Sequence, residues 1–269
     1  MKFVTDVTRH KWVIFSESRK NYKPPTDKCP FCPQQESDHK ELLRYGGVRV
    51  IANDSPRAEL DEVIISPDHN KDIDEMPLDK VASLLKVYRD RFNFHKNNGK
   101  VFIFQNHDLY AGASIPHPHS QLIVIPFDVP VEPSFREPVA NIIFETDYFT
   151  VYCPDFSQWP YEVWLAPHDN KTYGEITDKQ ITDLAQVLQR VLKAMVQKFE
   201  INKEMAKKGI GSEFPYNFYI YHGENWYLRI IPRLMRHGGF ELSTGLHINT
   251  VDPLTAAAEF RNEIAVIKN

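Results

Sequence analysis

Residues 112–121 (GASIPHPHSQ) run directly into the apolar stretch 122–126 (LIVIP), which has the length and composition of a buried strand. In an extended segment residues i and i+2 point to the same face, so His117 and His119 should project together. The proline between them restrains the backbone. A fixed pair of imidazoles suits a metal ligand, a nucleophile or one of each, and the plain alternative is two ordinary loop histidines.

The pattern of this strand returns in the second half of the chain. Residues 228–232 (LRIIP) repeat the apolar run, and residues 162–170 (EVWLAPHDN) follow the plan of residues 62–70 (EVIISPDHN). A helical pattern follows each copy of the second motif. The chain is therefore predicted to be an α+β protein built from a duplicated unit, each copy an antiparallel sheet with a packed helix.

The prolines after residue 126 indicate a linker between the two copies. We accordingly expect an N-terminal catalytic domain at residues 1–130 and a degenerate C-terminal domain at residues 131–269. Superposing the two apolar runs places Gly223 opposite His117 and Asn225 opposite His119. Histidine chemistry is therefore expected in the first half only.

Composition excludes several classes of protein. The 269 residues carry a formal net charge of −4, and positively and negatively charged residues are interspersed along the sequence. Such a distribution lacks the basic patch typical of proteins that bind nucleic acid or an acidic membrane surface. The first residues lack the apolar core of a signal peptide, and no apolar run approaches the roughly 20 residues of a membrane span. We expect a cytoplasmic, soluble protein without a nucleic-acid or membrane partner.

We expect no disulfide framework among the three cysteines, because their number is odd and two of them are only three positions apart. Cys29 and Cys32 can place two thiolates on one tetrahedral metal ion, which needs two further ligands. The redox alternative requires a neighbouring thioredoxin-like βαβ pattern, which the sequence lacks. Cys153 is predicted to be a small core residue.

Together these motifs resemble the galactose-1-phosphate uridylyltransferase branch of the histidine-triad superfamily. The segments that carry the resemblance are Trp12-Val13 with Arg19, the knuckle 29–32 (CPFC), Asn53-Asp54, residues 66–69 (SPDH), and Asn106, Gly112 and Ser114 before 117–121 (HPHSQ). Residues 239–245 (GFELSTG) with Ile248-Asn249 resemble the related nucleotide-sugar phosphorylases. The match covers most of the chain, which makes it specific.

The resemblance implies an enzyme that moves a nucleoside monophosphate between a nucleotide sugar and a hexose 1-phosphate, as in galactose metabolism. It implies a ping-pong reaction through a covalent nucleotidyl adduct on His119, assisted by Gln121. It further implies nucleotide and phosphate contacts from Arg19, Asn53, Asp54, Asn106, Ser114 and Gln121. Dimers are common in the resembled family, although the sequence itself shows no interface.

By the same resemblance, each chain holds one zinc ion on Cys29, Cys32, His69 and His117. Two thiolates and two imidazoles fill a tetrahedron, so this zinc is predicted to be structural rather than catalytic.

Two alternatives for function stay open. In the first, water or inorganic phosphate attacks the adduct, which would make the protein a hydrolase or a phosphorylase. In the second, the protein binds a nucleotide but has lost its catalytic activity. The sequence selects neither the base nor the sugar.

Overall fold

The computed structural model describes residues 2–6, 11–20, 28–33, 39–131, 136–199 and 213–267. Its strands are β1 (Lys2–Asp6), β2 (Lys11–Phe15), β3 (Glu41–Tyr45), β4 (Val48–Ala52), β5 (Leu60–Ile65), β6 (Lys100–His107), β7 (His119–Ile125), β8 (Ile142–Glu145), β9 (Phe149–Tyr152), β10 (Val163–Pro167), β11 (Tyr216–Ile220) and β12 (Leu228–Pro232). Its α-helices are α1 (Leu78–His95), α2 (Asp178–Lys198), α3 (Gly239–Thr244) and α4 (Pro253–Val266).

One antiparallel sheet of ten strands dominates the described residues, and β1 and β2 form a separate hairpin. The order in the large sheet is β3-β4-β5-β7-β6-β11-β12-β10-β9-β8. Counted inward from either edge, the two halves have the same arrangement, with β7 and β12 in equivalent positions. The α+β class is confirmed, and the sheets expected for the two copies are joined into one because β6 pairs with β11.

Both long helices pack on one face of the sheet. Five residues that repeat at helical spacing along α1 are all buried: Val81, Leu84, Leu85, Tyr88 and Phe92. Because strand residues alternate in direction, Leu122 and Val124 of β7 join this core, whereas His119 and Gln121 belong to the opposite face. The reactive side chains therefore lie on the sheet face that the long helices leave uncovered.

Two helices of the second half begin at capping residues. Thr177 and Gln180 form the capping box at the start of α2, and Asp252 caps α4, where Pro253 is the first helical residue. Cys153 is fully buried, as predicted. The division into two domains at residue 130 stays a prediction. Core residues of both halves belong to one hydrophobic cluster. Among the described helices, none combines the length and apolar character needed to cross a membrane.

Candidate active site and metal centre

The loop between β6 and β7 is shaped by two residues with positive φ. Asp108 (φ 70°) caps a short 3-10 turn at Leu109–Ala111 by accepting a hydrogen bond from the N–H of Tyr110. Gly112 (φ 94°) ends that turn in the left-handed conformation that glycine adopts without strain. The chain then returns to β7 at His119, so the histidine pair lies where a tight loop meets the sheet.

The structure brings the four predicted metal ligands together. The ligand atoms of Cys29, Cys32, His69 and His117 all lie within 4.8 Å of one another. The Sγ of Cys32 is 3.1 Å from Nδ1 of His69 and 3.9 Å from Nδ1 of His117, and the Sγ of Cys29 is 3.6 Å from the latter. Zn–S and Zn–N bonds of about 2.3 and 2.0 Å place neighbouring ligand atoms roughly 3.5 Å apart in a tetrahedron. This set of ligands fits a metal ion of that kind.

His117 is oriented by an outer hydrogen bond. Its Nε2 lies 3.0 Å from the carbonyl oxygen of Ser66, which makes Nε2–H the donor and leaves the Nδ1 lone pair facing the cysteines. Burial lowers the pKa of His117, with further lowering from His69 and His119 against the hydrogen bond to Ser66. The neutral imidazole is the form that binds a metal.

His119 is held by the carbonyl oxygen of His117, which accepts a hydrogen bond from Nδ1–H at 2.9 Å. The tautomer that donates through Nδ1 carries its lone pair on Nε2. Burial lowers the pKa of His119, and the positive charge of Arg57 contributes in the same direction. The residue is therefore a neutral, oriented imidazole, which is the form required of a nucleophile.

A cavity of about 310 Å³ lies beside His119. Its lining includes Asn106, Ser114, Ile115 and His117. The Oδ1 of Asn106 accepts a hydrogen bond from Asn217 of β11 at 2.8 Å, so the Nδ2 amide of Asn106 is the end turned to the loop. This geometry places a hydroxyl and an amide donor on the same cavity as the imidazole.

Asn53 and Asp54 lie in the loop before β5, and Arg19 contacts this loop from a separate segment. The side chain of Asn53 donates to Asp61 and accepts from the N–H of Ser55, at 2.9 Å in each case. Arg19 donates to the carbonyl oxygen of Ser55 at 3.0 Å. The carboxylate of Asp54 is exposed and lies 2.9 Å from Nδ1 of His39. Their part in nucleotide binding stays a prediction.

The site contains two residues that the sequence analysis did not identify. Arg57 donates a hydrogen bond to Oε1 of Gln121 at 2.7 Å, a contact between positions 64 residues apart. Phe31, inside the knuckle, packs against the rings of both His117 and His119. Phe31 could have been identified from the sequence because it lies between the two cysteine ligands. Nothing in the local sequence indicates a role for Arg57.

The corresponding region of the second half has different chemistry. Tyr227 stacks on Trp164 with 4.1 Å between ring centroids. Arg229 donates to the buried carboxylate of Glu162 at 2.8 Å. Arg229 belongs to β12 and Trp164 to β10, and their partners Glu162 and Tyr227 immediately precede these two strands.

Comparison with known proteins gives the same family as the motifs, although no protein-family model matches the chain. An ADP-glucose phosphorylase of Arabidopsis thaliana is 26% identical over 95% of this chain and 91% of the relative. A crystal structure of an ADP-glucose phosphorylase from that plant, with bound ADP-glucose, covers 97% of this chain and 98% of its own with a TM-score of 0.73. A galactose-1-phosphate uridylyltransferase of Thermotoga maritima is 25% identical over 93% of this chain and 95% of the relative.

The fold is also that of a solved uridylyltransferase, which aligns along 100% of both chains with a TM-score of 0.80 at 19% identity. The predicted resemblance is confirmed: the chain is similar over nearly its whole length to galactose-1-phosphate uridylyltransferase and to an ADP-glucose phosphorylase that resembles it, and the similarity supports an enzyme with nucleotidyltransferase or phosphorylase function.

Proposed function

We propose that this protein transfers a nucleoside monophosphate from a nucleotide sugar to a second phosphate, through a covalent adduct on His119. The observation that carries the proposal is the hydrogen bond from Nδ1–H of His119 to the carbonyl oxygen of His117 at 2.9 Å. It fixes one tautomer and leaves Nε2 as the attacking atom in a cavity that Asn106 and Ser114 also line.

In the first step, the Nε2 lone pair attacks the α-phosphorus of the nucleotide sugar. A P–N bond forms, and the bond from that phosphorus to the bridging oxygen breaks, so the sugar 1-phosphate leaves with the electron pair. In the second step, an oxygen of the acceptor phosphate attacks the same phosphorus and the P–N bond breaks. His119 returns to its neutral form, and its Nδ1 keeps its proton throughout, donating it in the hydrogen bond to the carbonyl oxygen of His117.

Negative charge develops on the non-bridging phosphoryl oxygens in both steps. Donors that are already in place stabilise this charge without reorganisation. We assign this role to the Nε2 amide of Gln121, whose Oε1 accepts from Arg57, and to the Nδ2 amide of Asn106, whose Oδ1 accepts from Asn217. The hydroxyl of Ser114 is the third proposed donor.

We further propose that the metal ion is a structural zinc held by Cys29, Cys32, His69 and His117. These four side chains would fill all the coordination positions of a tetrahedral ion, so the ion would supply rigidity to the loop rather than an open position for substrate. Its ligand His117 also provides the carbonyl group that orients His119. One residue therefore joins the metal centre to the nucleophile.

The acceptor distinguishes two versions of the proposal. A hexose 1-phosphate acceptor makes the protein a uridylyltransferase of galactose metabolism, and inorganic phosphate makes it a phosphorylase. The Arabidopsis relative, named as an ADP-glucose phosphorylase, supports the second version. A homodimer is proposed on the resemblance alone and a cytoplasmic location on the composition of the sequence, and sedimentation of the purified protein tests the dimer.

The test is incubation of zinc-loaded protein with UDP-glucose or ADP-glucose in the absence of acceptor. We expect an acid-labile mass increase of one nucleoside monophosphate residue, which is lost in His119→Ala. His168→Ala is the matched control, because His168 is an exposed histidine of the second half, and it should label like the wild type. Failure to label the folded, zinc-loaded wild type with any nucleotide sugar would contradict the proposal. Products formed with phosphate or with hexose 1-phosphate then identify the acceptor.

A further inference from the structure

Arg57 lies on the same face of the sheet as His119. Its Nη1 donates to Oε1 of Gln121 at 2.7 Å, and its guanidinium carbon is 5.9 Å from the ring centroid of Phe104. Gln121 and Phe104 are direct partners in the pairing of β6 with β7. Gln121 follows His119 by two positions on β7, so the side chain that the guanidinium contacts lies on the same face as the reacting imidazole.

A buried carboxylate holds Arg57 in this position. The backbone N–H of Arg57 donates to Oδ2 of Asp61 at 2.7 Å, and its Nη1 is 3.8 Å from the same oxygen. The side chain of Asp61 is fully buried, whereas 30% of the Arg57 side chain is exposed. The arginine is therefore anchored at its backbone and on one edge of its guanidinium, while part of the side chain remains accessible to a ligand.

The contact also decides which end of Gln121 faces a ligand. A glutamine amide has an accepting and a donating end, and arginine can only donate. Because Arg57 takes Oε1, the Nε2 amide of Gln121 must point elsewhere. The Nε2 amide of Gln121 can then donate a hydrogen bond to a phosphoryl oxygen, as the proposed reaction requires.

A simpler interpretation makes Arg57 only the ion-pair partner of Asp61. The distances argue against it, since the contact with Gln121 is short while the contact of the guanidinium with Asp61 is 3.8 Å. A guanidinium beside a group that transfers phosphate also suits the charge of the substrate, because arginine binds phosphate through paired N–H donors.

We propose that Arg57 is a phosphate-binding residue of this site: its guanidinium contacts a non-bridging oxygen of the nucleotide sugar's pyrophosphate and fixes Gln121 so that Nε2 contacts another. This inference rests on the proposed function and adds a residue to it. Arg57 thus has two roles, one through direct contact with the substrate and one through the orientation of Gln121.

The test compares Arg57→Gln and Arg57→Lys with Arg44→Gln, an exposed arginine of β3 that pairs with Glu41. We expect the rate of adduct formation to fall about 100- to 1000-fold in Arg57→Gln, as for loss of a preorganised donor. Arg57→Lys, which keeps the charge but not the fork, should fall less, and Arg44→Gln should match the wild type. An Arg57→Gln rate within twofold of the wild type overturns the inference.

Chemical rescue separates binding from a merely structural role. Added guanidinium ion at non-denaturing concentration should restore part of the rate in Arg57→Ala and none in Arg44→Ala. A folded Arg57→Ala that is slow and shows no rescue overturns direct phosphate contact. The unfolding midpoint of each variant, measured in parallel, identifies any variant that fails to fold, and Arg57→Lys then carries the comparison.

Binding distinguishes failure of this inference from failure of the proposed function. If the wild type forms no adduct, the proposed function fails, and the affinity of the wild type and Arg57→Gln for UDP and ADP is compared by calorimetry. An affinity at least tenfold weaker in Arg57→Gln supports phosphate binding by Arg57. Equal affinity, with measurable binding to the wild type, overturns it.

Discussion

The ring of Phe31 packs edge-on against the ring of His119, with 5.1 Å between the centroids and 64° between the planes. Phe31 lies between the two cysteines, is 6% exposed, and its carbonyl oxygen accepts a hydrogen bond from the buried Arg49 at 3.1 Å. The metal knuckle therefore touches the proposed nucleophile directly, in addition to supporting it through the ligand His117.

Phe31→Ala is expected to reduce the rate of adduct formation more than it reduces zinc content. The substitution leaves all four ligands in place but removes the ring that packs on His119, and a phenylalanine-to-alanine change in a core costs about 3–5 kcal/mol. Rapid-quench labelling and metal analysis of the same sample measure both quantities. Phe156→Ala, at a residue that is 70% exposed, is the control. A wild-type rate in Phe31→Ala would show that this contact has no part in positioning.

Removal of the metal is expected to lower the unfolding midpoint and abolish labelling together. The ligands come from three separate segments, so the ion cross-links parts of the chain that are far apart in sequence. Chelator treatment and Cys32→Ser should each lower the midpoint by several degrees. Cys153→Ala removes a core thiol outside this cluster and should keep one zinc per chain. A chelated protein that unfolds at the same temperature as the loaded protein would contradict a structural role.

The free energy of unfolding is expected to fall as pH rises from about 6.5 to about 9 because of His107. Burial alone would lower the pKa of His107, but Glu213, Asp72 and the carbonyl group of Phe214 outweigh it and raise the pKa to about 9. The native protein thus keeps a proton that the unfolded chain releases above about 6.5, so the stabilisation is complete below that pH and lost above the native pKa.

The size of the His107 effect is on the order of 3 kcal/mol. Urea unfolding of the wild type and His107→Gln, at intervals between pH 6 and pH 9.5, measures it. The two free energies should converge as pH rises. Curves that stay parallel across this range would show that His107 is not charged in the native protein.

Asn217→Ala is expected to slow adduct formation about tenfold while leaving the fold intact. Asn217 donates from β11 to Oδ1 of Asn106 at 2.8 Å and so fixes which end of that amide faces the cavity. Without it, the Asn106 amide can rotate, and a preorganised donor is lost in part. Asn98→Ala, at an exposed position before β6, is the control. Unchanged kinetics in Asn217→Ala would mean that Asn106 is oriented by other contacts.

The sequence predicted the parts of the site that depend on local spacing. The cysteines of the knuckle and the His-Pro-His segment lie within a few residues of each other, so their geometry follows from backbone conformation. The strand β7 was predicted because residues 122–126 form a continuous apolar run. Short strands with exposed side chains, such as β3, were not predicted because they lack that signal.

Contacts between segments that are distant in sequence could not be predicted from local sequence patterns. Arg57 reaches Gln121 because β5 pairs with β7, and Asn217 reaches Asn106 because β11 pairs with β6. Each of these depends on the register of strands that are far apart in sequence. A turn residue such as Arg57 has no local pattern that specifies its partner.

The pairing of β6 with β11 has a further consequence for the second half. Alone, each half would end in a strand with unpaired main-chain groups, which is a template for association with other chains. In the joined sheet each half covers that strand of the other. Main-chain hydrogen bonds do not depend on side-chain identity, so the second half performs this protection whatever residues stand at positions 223 and 225. Expressed separately, the first half is expected to self-associate even with every reactive residue in place.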